Sequence, residues 1–173
     1  VNPYVLTDVY TVSPLLNGLG FNPVDNYIYA IASNNPRQLY RFGSTALELT
    51  AVTISGIGTT STLDAGTFDE AGNYFIAFND GIIQRITGVT GAAPSPVATT
   101  VARQPDASPP SGFSGSTGGH LLVGDWAFNP AESTPTSTVI YGTRSNERGS
   151  LYLYRVRIDD PSGTPTAHVS RRV

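Results

Sequence analysis

Two aspartates occupy positions from which a β protein could act on a substrate. Asp64 and Asp125 each stand near the start of a short apolar stretch that we interpret as the innermost strand of a repeated unit. Paired carboxylates at one mouth of a central channel can serve as acid and base in a hydrolase or lyase that acts on sugars or lactones. The chain has no Gly-x-Ser-x-Gly motif, and neither His120 nor His168 lies in a ligand-spaced pair. We therefore assign no catalytic residue and keep an enzyme as an alternative.

A second group of carboxylates has the chemistry of a calcium site. Asp64, Asp69, Glu70 and Asp80 supply oxygen ligands, which calcium prefers. Their spacing fits no EF-hand, and a hairpin turn accounts for Asp69 because Asp side chains hydrogen-bond their own backbone in turns. We expect a structural role for these residues, and we predict no metal and no cofactor.

The single tryptophan, Trp126, belongs to an aromatic set that could stack against a sugar ring. The other members are tyrosines: Tyr10, Tyr27, Tyr29, Tyr74, Tyr141, Tyr152 and Tyr154. Because a Trp on an innermost strand normally packs between repeated units, we expect Trp126 in the core. A glycan-binding, lectin-like role is the alternative, and it requires an exposed aromatic beside polar side chains.

Three arginines, Arg41, Arg85 and Arg155, recur at one position of the repeat. A repeated position usually serves repeated packing, so we expect these arginines to pair with a carboxylate or to cap carbonyl groups between units. A ring of anion ligands is the alternative, since the guanidinium group suits planar anions. The candidate binding residues are therefore these three arginines together with Asp64, Asp125 and Trp126.

Composition excludes several classes of function. Hydrophobic residues make up 39% of the 173 and charged residues 13%, with 18 Gly and 13 Pro, a balance typical of a turn-rich β domain. The net charge of −3 offers no broad basic field, so nucleic acid is not an expected partner. The absence of cysteine excludes disulfides and thiolate metal sites. No apolar stretch approaches the ~20 residues of a membrane-spanning helix.

A repeated strand pattern gives the fold class. Phe21, Phe68 and Phe128 each end a short strand before a turn, and further strand-like segments follow each of them. Units of four short antiparallel strands that recur in this way are typical of β-propeller blades. We predict an all-β domain with about three blades and an incomplete ring, divided as follows: a strand of an incomplete blade in 1–14, blade 1 in 15–57, blade 2 in 62–103, a Pro/Ser/Gly loop in 104–119, and blade 3 in 120–173.

The units align closely with one another. Asn73–Ala77 matches Asn26–Ala30 without a gap, which makes Tyr74 the counterpart of Tyr27. In the third unit the first turn is enlarged by residues 131–137. The Pro- and Ser-rich stretch 94–116 has the composition of an O-glycosylated segment and equally of a plain flexible loop.

A closed ring needs more blades than this chain supplies. Propellers take roughly 4–8 blades, and each blade must stack on its neighbours to bury its two apolar faces. We therefore expect the sheets to be completed by other protein chains, by copies of the same chain, or by the rest of a longer propeller. The strand predicted at Val5–Val12 decides between these: a neighbouring chain against it would establish assembly, and a missing blade would establish a longer propeller.

Three motifs resemble those of a known group of proteins. Residues 125–130 read Asp-Trp-Ala-Phe-Asn-Pro, residues 27–29 read Tyr-Ile-Tyr, and residues 39–42 read Leu-Tyr-Arg-Phe. They resemble a poorly characterised family of secreted and cell-surface β-propeller-like repeat proteins. The resemblance implies an extracellular or cell-surface setting and carries over no catalytic residue. The second unit departs from it, with Asp69–Glu70 in place of Asn-Pro.

These observations lead to one expected function and two alternatives. We expect a non-enzymatic extracellular structural or adhesion module that assembles with other chains or with the rest of a longer propeller. The alternatives are a glycan-binding propeller and a hydrolase or lyase acting on sugars or lactones.

Overall fold

The computed structural model describes residues 13, 15–33, 37–43, 47–104, 124–145 and 151–172. None of these residues lies in a helix, and so none forms a helix long and apolar enough to cross a membrane. The strand predicted at Val5–Val12 lies outside the described residues, as does the predicted Pro/Ser/Gly loop beyond residue 104.

The described chain folds into thirteen strands in three sheets. Sheet 1 contains β1 (Leu16–Asn22), β2 (Tyr27–Ala32), β3 (Gln38–Phe42) and β4 (Leu47–Thr53). Sheet 2 contains β5 (Leu63–Phe68), β6 (Tyr74–Phe78), β7 (Ile83–Thr87) and β8 (Val97–Thr100). Sheet 3 contains β9 (Ala102–Gln104), β10 (Trp126–Phe128), β11 (Ser137–Ser145), β12 (Leu151–Asp159) and β13 (Thr166–Arg172).

Each sheet is built on an antiparallel meander of four strands in chain order. The innermost strands approach one another, with β1 and β10 both lying beside β5. The prediction of an all-β chain with four-stranded antiparallel sheets is therefore confirmed. The arrangement is that of propeller-like blades, and the described sheets do not close into a ring.

One strand departs from the predicted boundaries. The sequence assigned residues up to 103 to the second unit, but β9 pairs in parallel with β13 at the outer edge of sheet 3. The chain crosses between sheets at Val101, which is buried and donates its N–H to the Ile83 carbonyl at 2.9 Å. A strand of three residues gives no alternating pattern long enough to reveal its partner.

The first turn of every sheet has the same local chemistry. The Asn or Asp that follows the repeated phenylalanine accepts a hydrogen bond from the backbone N–H two residues further on, which fixes the chain direction at the end of the strand. The pairs are Val24 N to Asn22 Oδ1 (3.1 Å), Ala71 N to Asp69 Oδ1 (3.1 Å) and Ala131 N to Asn129 Oδ1 (3.0 Å).

The strand register corrects the gapless alignment of the first two units. Phe21 pairs with Ile28, whereas Phe68 pairs with Tyr74, so the turn of sheet 2 is one residue shorter. The counterpart of Tyr74 is therefore Ile28 and not Tyr27. Each of the two turns places one residue in the left-handed region, Asn26 with φ of 61° in sheet 1 and Gly72 with φ of 80° in sheet 2. Since a shift of one residue moves a side chain to the opposite face of a strand, the correction decides which side chains share a face.

The hydrophobic core lies between the sheets. One cluster joins sheets 1 and 2: Tyr29, Ile31, Leu39, Ile54, Leu63, Phe68, Tyr74, Ile76, Phe78, Ile86, Val89 and Ala98. A second joins sheets 2 and 3: Ala65, Phe75, Ala77, Ile83, Val101, Trp126, Ile140, Tyr154, Val156, Ile158, Ala167 and Val169. A smaller cluster lies on the outer side of sheet 1: Ala30, Ala32, Tyr40 and Phe42, with Leu16 packed against it. Sheet 2 therefore buries both of its faces, as a central blade must.

Candidate functional site

Each sheet has two faces, which we name the forward face and the rear face. In every sheet an arginine of β3, β7 or β12 pairs directly with an aromatic residue of β2, β6 or β11, so that the two side chains project from one face. We call this the forward face: Tyr29 and Arg41 in sheet 1, Phe75 and Arg85 in sheet 2, Tyr141 and Arg155 in sheet 3. The rear face carries the repeated phenylalanine and its cross-strand partner: Phe21 and Ile28, Phe68 and Tyr74, Phe128 and Ile140.

The forward face of one sheet packs on the rear face of the next. Between sheets 1 and 2, the rings of Phe68 and Tyr74 stack with centroids 4.2 Å apart, and Tyr29 packs against Phe68 at 5.3 Å. The same relation joins sheets 2 and 3, where Phe75 lies in the cluster that contains Ile140. The chain thus uses one kind of interface twice.

The repeated arginines link these interfaces. Arg41 Nη1 donates to the carbonyl oxygen of Gly91 in sheet 2 at 2.8 Å, and Arg85 Nη1 donates to the carbonyl oxygen of Pro161 in sheet 3 at 2.7 Å. Both acceptors lie in the loop that joins the last two strands of the following sheet. Two of the three candidate arginines therefore cap carbonyl groups between sheets.

In sheet 3 the equivalent arginine makes a different contact. Arg155 Nε donates to Oε2 of Glu132 at 3.0 Å, within its own sheet. Glu132 lies in the enlarged first turn, and its Oε1 accepts hydrogen bonds from the Tyr141 hydroxyl at 2.6 Å and from Asn129 Nδ2 at 3.1 Å. One carboxylate thus holds both forward-face residues of the last sheet. Sequence reasoning missed Glu132; the only signal was a carboxylate within the turn insertion.

The two outer faces of the stack leave apolar side chains exposed at positions that are buried elsewhere. Phe21 is 54% exposed and Ile28 45%, whereas their counterparts Phe68 and Tyr74 are buried. Leu19 lies two residues before Phe21 on β1 and therefore shares the rear face of sheet 1. It is also exposed. On the forward face of sheet 3, Leu153 is 42% exposed. Its counterparts, Leu39 and Ile83, are buried between sheets. These repeat positions are therefore more exposed at the ends of the stack than inside it, whereas Ala30, Tyr40 and Phe42, also on the rear face of sheet 1, are buried.

Two tyrosine hydroxyls lie at the interface between sheets 1 and 2. Burial, and then the carboxylate of Asp25, raise the pKa of Tyr29 to about 12. The protonated hydroxyl donates to Asp25 Oδ2 at 2.6 Å. Burial also raises the pKa of Tyr74, whose hydroxyl donates to the carbonyl oxygen of Gly18. Both groups therefore act as neutral donors that join strands.

Trp126 lies in the core between sheets 2 and 3, where its indole Nε1 donates to the buried hydroxyl of Tyr154 at 2.7 Å. Its ring is therefore not available for stacking against a sugar in this structure. The aromatic side chain that does border a shallow depression is Tyr141, together with Asn129, Glu132 and Leu153 around a volume of about 590 Å³.

Neither candidate aspartate lines the depressions of about 590 Å³ and about 700 Å³. Asp64 lies on β5 with its Oδ2 buried and without a hydrogen-bond partner, and burial raises the pKa of its carboxyl. Asp125 is exposed immediately before β10. The larger depression, of about 700 Å³, is lined by Arg37, by Thr53 and Ile54, and by residues 56–60. Arg37 is itself buried and donates to the carbonyl groups of Ala32, Ser33 and Ser61.

The other candidate carboxylates use their oxygens in turns. Asp69 accepts hydrogen bonds at Oδ1 from the Asn73 N–H at 2.9 Å, and at Oδ2 from the Thr138 hydroxyl of sheet 3 at 2.8 Å. Asp80 Oδ2 accepts a hydrogen bond from the Thr59 hydroxyl at 2.7 Å. Within the described ranges, no three Asp, Glu or His side chains are grouped to hold a metal ion. These carboxylates therefore contribute to turns and to contacts between sheets.

Residues 4–113 match a family model described as Repeat of unknown function (DUF6923). That match covers more than half of the chain. The chain belongs to this repeat family. The match spans sheets 1 and 2 and ends before β10, so the sheet with the enlarged turn lies mostly outside it. No curated protein and no solved structure matches the chain.

Proposed function

We propose that this repeat protein is a non-enzymatic structural or adhesion module whose outer faces are completed by further sheets. These sheets come from other chains, from copies of itself, or from a longer propeller. The observation that carries the proposal is the exposure of Phe21 and Ile28 at positions that are buried in sheet 2. On the rear face of sheet 1, Phe21 and Ile28 take the positions that Phe68 and Tyr74 have in sheet 2. No described aromatic side chain of another sheet packs on Phe21 as Tyr29 packs on Phe68.

The energy available to such an association is substantial. Full burial of a Phe, Leu or Ile side chain contributes about 1.5–3 kcal/mol, and roughly half of this remains to be gained at each exposed position. Phe21, Ile28, Leu19 and Leu153 together therefore offer several kcal/mol before the entropic cost of association. Leu19, Phe21 and Ile28 share one face of sheet 1, and contiguous apolar surface usually marks an interaction site.

The setting that we propose is extracellular or at the cell surface. Support comes from the resemblance of the repeats to secreted propeller-like proteins. Mass spectrometry of the protein purified from its native source tests this setting, because O-glycans on the Ser/Pro-rich segment are expected only after secretion.

Glycan binding is a second candidate, supported by one observation. Tyr141 borders the depression of about 590 Å³ beside the carboxylate of Glu132 and the amide of Asn129, a combination of aromatic and polar groups that suits a sugar. A glycan array tests it: binding that is lost in Tyr141→Ala supports the role, and an array without any bound glycan contradicts it.

The mass of the folded chain in solution tests the assembly proposal. Sedimentation over a wide dilution series is expected to show particles larger than 18.3 kDa that dissociate on dilution. Phe21→Asp is expected to prevent association. Val97→Asp is the matched control, because Val97 is 43% exposed on β8, away from both outer faces. A folded monomer at every concentration would overturn the proposal.

A further inference from the structure

We infer that the depression beside the segment that joins β4 to β5 binds the oxyanion of a small organic acid, with the buried guanidinium of Arg37 supplying the positive charge. The depression has a volume of about 700 Å³. Its lining consists of Arg37, Thr53, Ile54 and residues 56–60. The inference adds a ligand site to the proposed function and does not depend on assembly of the chain.

Arg37 is a buried positive charge. It is only 4% exposed, and arginine is almost never so deeply buried unless it is paired. None of the ion pairs among the described residues involves Arg37. Burial alone lowers the pKa of its guanidinium, so no neighbouring carboxylate offsets the charge. The charge is therefore available to an anion that enters the depression.

Neutral groups satisfy only part of this guanidinium. Nη1 donates to the carbonyl oxygens of Ala32 and Ser33, and Nη2 donates to the carbonyl oxygen of Ser61. The guanidinium carbon lies 5.7 Å from the centre of the Phe78 ring. The Nε–H has no acceptor among the described residues. These contacts fix the side chain between sheets 1 and 2 but leave its net charge uncompensated, which is costly for a buried ion.

The segment 56–60 adds backbone donors to the same depression. In the part of the chain that the structure describes, none of its N–H groups has an acceptor. The carbonyl oxygen of Gly56 accepts a hydrogen bond from Nε2 of the buried Gln84 at 3.1 Å. Because a trans peptide is planar, the Ile57 N–H of that peptide group points the opposite way, away from Gln84. Successive free N–H groups in an irregular segment are a common means of binding anions.

No carboxylate lines the depression. Asp80 approaches the lining only through Thr59, whose hydroxyl donates to Asp80 Oδ2 at 2.7 Å, and its Oδ1 accepts from the Ile82 N–H at 3.1 Å. Thr53 and Thr60 are exposed, and their hydroxyls have no partner within the described ranges. The lining thus presents one positive charge, free N–H groups and free hydroxyls, a set that is complementary to an oxyanion.

The size and the remaining lining indicate an organic acid. Ile54 and Ile57 add apolar surface that a bare inorganic ion would leave uncovered. The volume lies within the range of about 300–1,000 Å³ that is usual for small-molecule sites. A guanidinium suits carboxylate and sulfate groups alike, since both present oxygens that accept charge-assisted hydrogen bonds. An acidic monosaccharide therefore has the charge and the size to probe this site.

Three sugars that differ at a single carbon test the requirement for charge. Glucuronate carries a carboxylate there, glucose 6-sulfate a sulfate ester and glucose a neutral hydroxyl. In an NMR titration at fixed ionic strength, glucuronate or glucose 6-sulfate is expected to shift the amide signals of Gly56 and Gly58 and to leave that of Gly91, outside the lining, unchanged. Glucose is expected to bind at least about tenfold more weakly. The relative affinities of the two acids distinguish a carboxylate site from a sulfate site.

Substitutions of the lining test the role of each group. Arg37→Gln removes the charge and is expected to weaken binding of the acid about tenfold or more. Arg157→Gln is the matched control, because it removes the same charge from a partly exposed ion pair of sheet 3. Arg37→Gln also loses contacts to carbonyl groups, so Thr60→Val, at an exposed position, provides a variant that spares the core. It is expected to weaken binding about threefold.

The outcomes that would overturn the site are distinct from those that concern assembly. If neither acid shifts the Gly56 and Gly58 signals, or if glucose binds as tightly, the depression is not an oxyanion site and Arg37 serves only to join sheets 1 and 2. Equal losses in Arg37→Gln and Arg157→Gln would mean a general effect of charge and would exclude the site as well. None of these results bears on the mass of the chain in solution, which tests the proposed function by itself.

Discussion

Arg85 of sheet 2 donates from Nη1 to the carbonyl oxygen of Pro161 in sheet 3 at 2.7 Å. Arg41 reaches a carbonyl of sheet 2 in the same manner and also lies over the Tyr27 ring of its own sheet, whereas Arg155 donates to Glu132 within sheet 3. In the two sheets that are followed by another, the repeated arginine therefore links one sheet to the next.

The loss of stability on substitution of a repeated arginine should depend on the contact that the arginine makes. Arg85→Gln is expected to lower the free energy of unfolding by about 1–2 kcal/mol, because the Pro161 carbonyl loses a charged donor at a partly buried site. Arg155→Gln breaks a partly exposed ion pair and is expected to cost less than about 1 kcal/mol. Urea denaturation of both variants measures the difference, and equal costs would contradict a role between sheets.

The hydrogen bond from Trp126 to Tyr154 should stabilise the interface between sheets 2 and 3. Tyr154→Phe leaves the buried indole N–H without this acceptor and is expected to cost about 1–3 kcal/mol. Tyr141→Phe, in the same sheet, removes a hydroxyl that donates to an exposed carboxylate and serves as control. Because Trp126 is the only tryptophan, its fluorescence during urea denaturation follows this interface directly. A control as costly as Tyr154→Phe would contradict the assignment.

A side chain at Gly66 of β5 should clash with the backbone of β1. A Cβ there would lie 2.9 Å from the Cα of Gly18, and backbone cannot yield as a flexible side chain can. We expect Gly66→Ala to destabilise by about 1–3 kcal/mol through overpacking. In Gly58→Ala the nearest atom to the new Cβ is 3.5 Å away, so little change is expected. Thermal melts compare the two, and similar midpoints would show that β1 and β5 are not so close.

The turn between β6 and β7 should stabilise the chain in a pH-dependent way. Burial tends to raise the pKa of Asp80, but hydrogen bonds from Thr59, Ser61 and the Ile82 N–H outweigh it and hold the pKa below its usual value of 3.8. A depressed carboxyl pKa contributes stability above the unfolded value that is lost as pH falls through the folded value. Asp80→Asn is expected to lose about 1 kcal/mol near neutral pH and nothing at the acid end of this window. Denaturation at several pH values checks this, and a loss independent of pH would refute it.

Much of the fold was predictable because its signals are local. Alternating apolar residues and the Asx turns after Phe21, Phe68 and Phe128 define the first strands and turns of the three sheets. The register was not predictable to one residue. Tyr27, Ile28 and Tyr74 all suit a strand, so the pattern alone does not reveal that the second turn is shorter.

The contacts of the candidate site were predictable only in part. A repeated arginine position indicates a contact between sheets, as Arg41 and Arg85 show. The partner of Arg155 was not predictable, since an exposed glutamate in a turn acquires its role only when the fold brings it to β12. For the same reason the sequence did not reveal the contact between Asp69 and Thr138, which lie far apart in the chain.

The opposite pH dependence is expected for Asp64. Burial raises the pKa of this carboxyl above 3.8, and its Oδ2 has no hydrogen-bond partner. A raised carboxyl pKa means that the folded state binds more protons than the unfolded state between the two pKa values, so stability falls as pH rises through that window and stays lower above it. Asp64→Asn removes the ionised form and is expected to raise the free energy of unfolding at neutral pH by on the order of 1 kcal/mol, with no gain below the window. Urea denaturation at neutral and acidic pH, with Asp80→Asn beside it, measures both signs; a loss of stability in Asp64→Asn at neutral pH would mean that the carboxylate has a stabilising partner and does not merely bear the cost of burial.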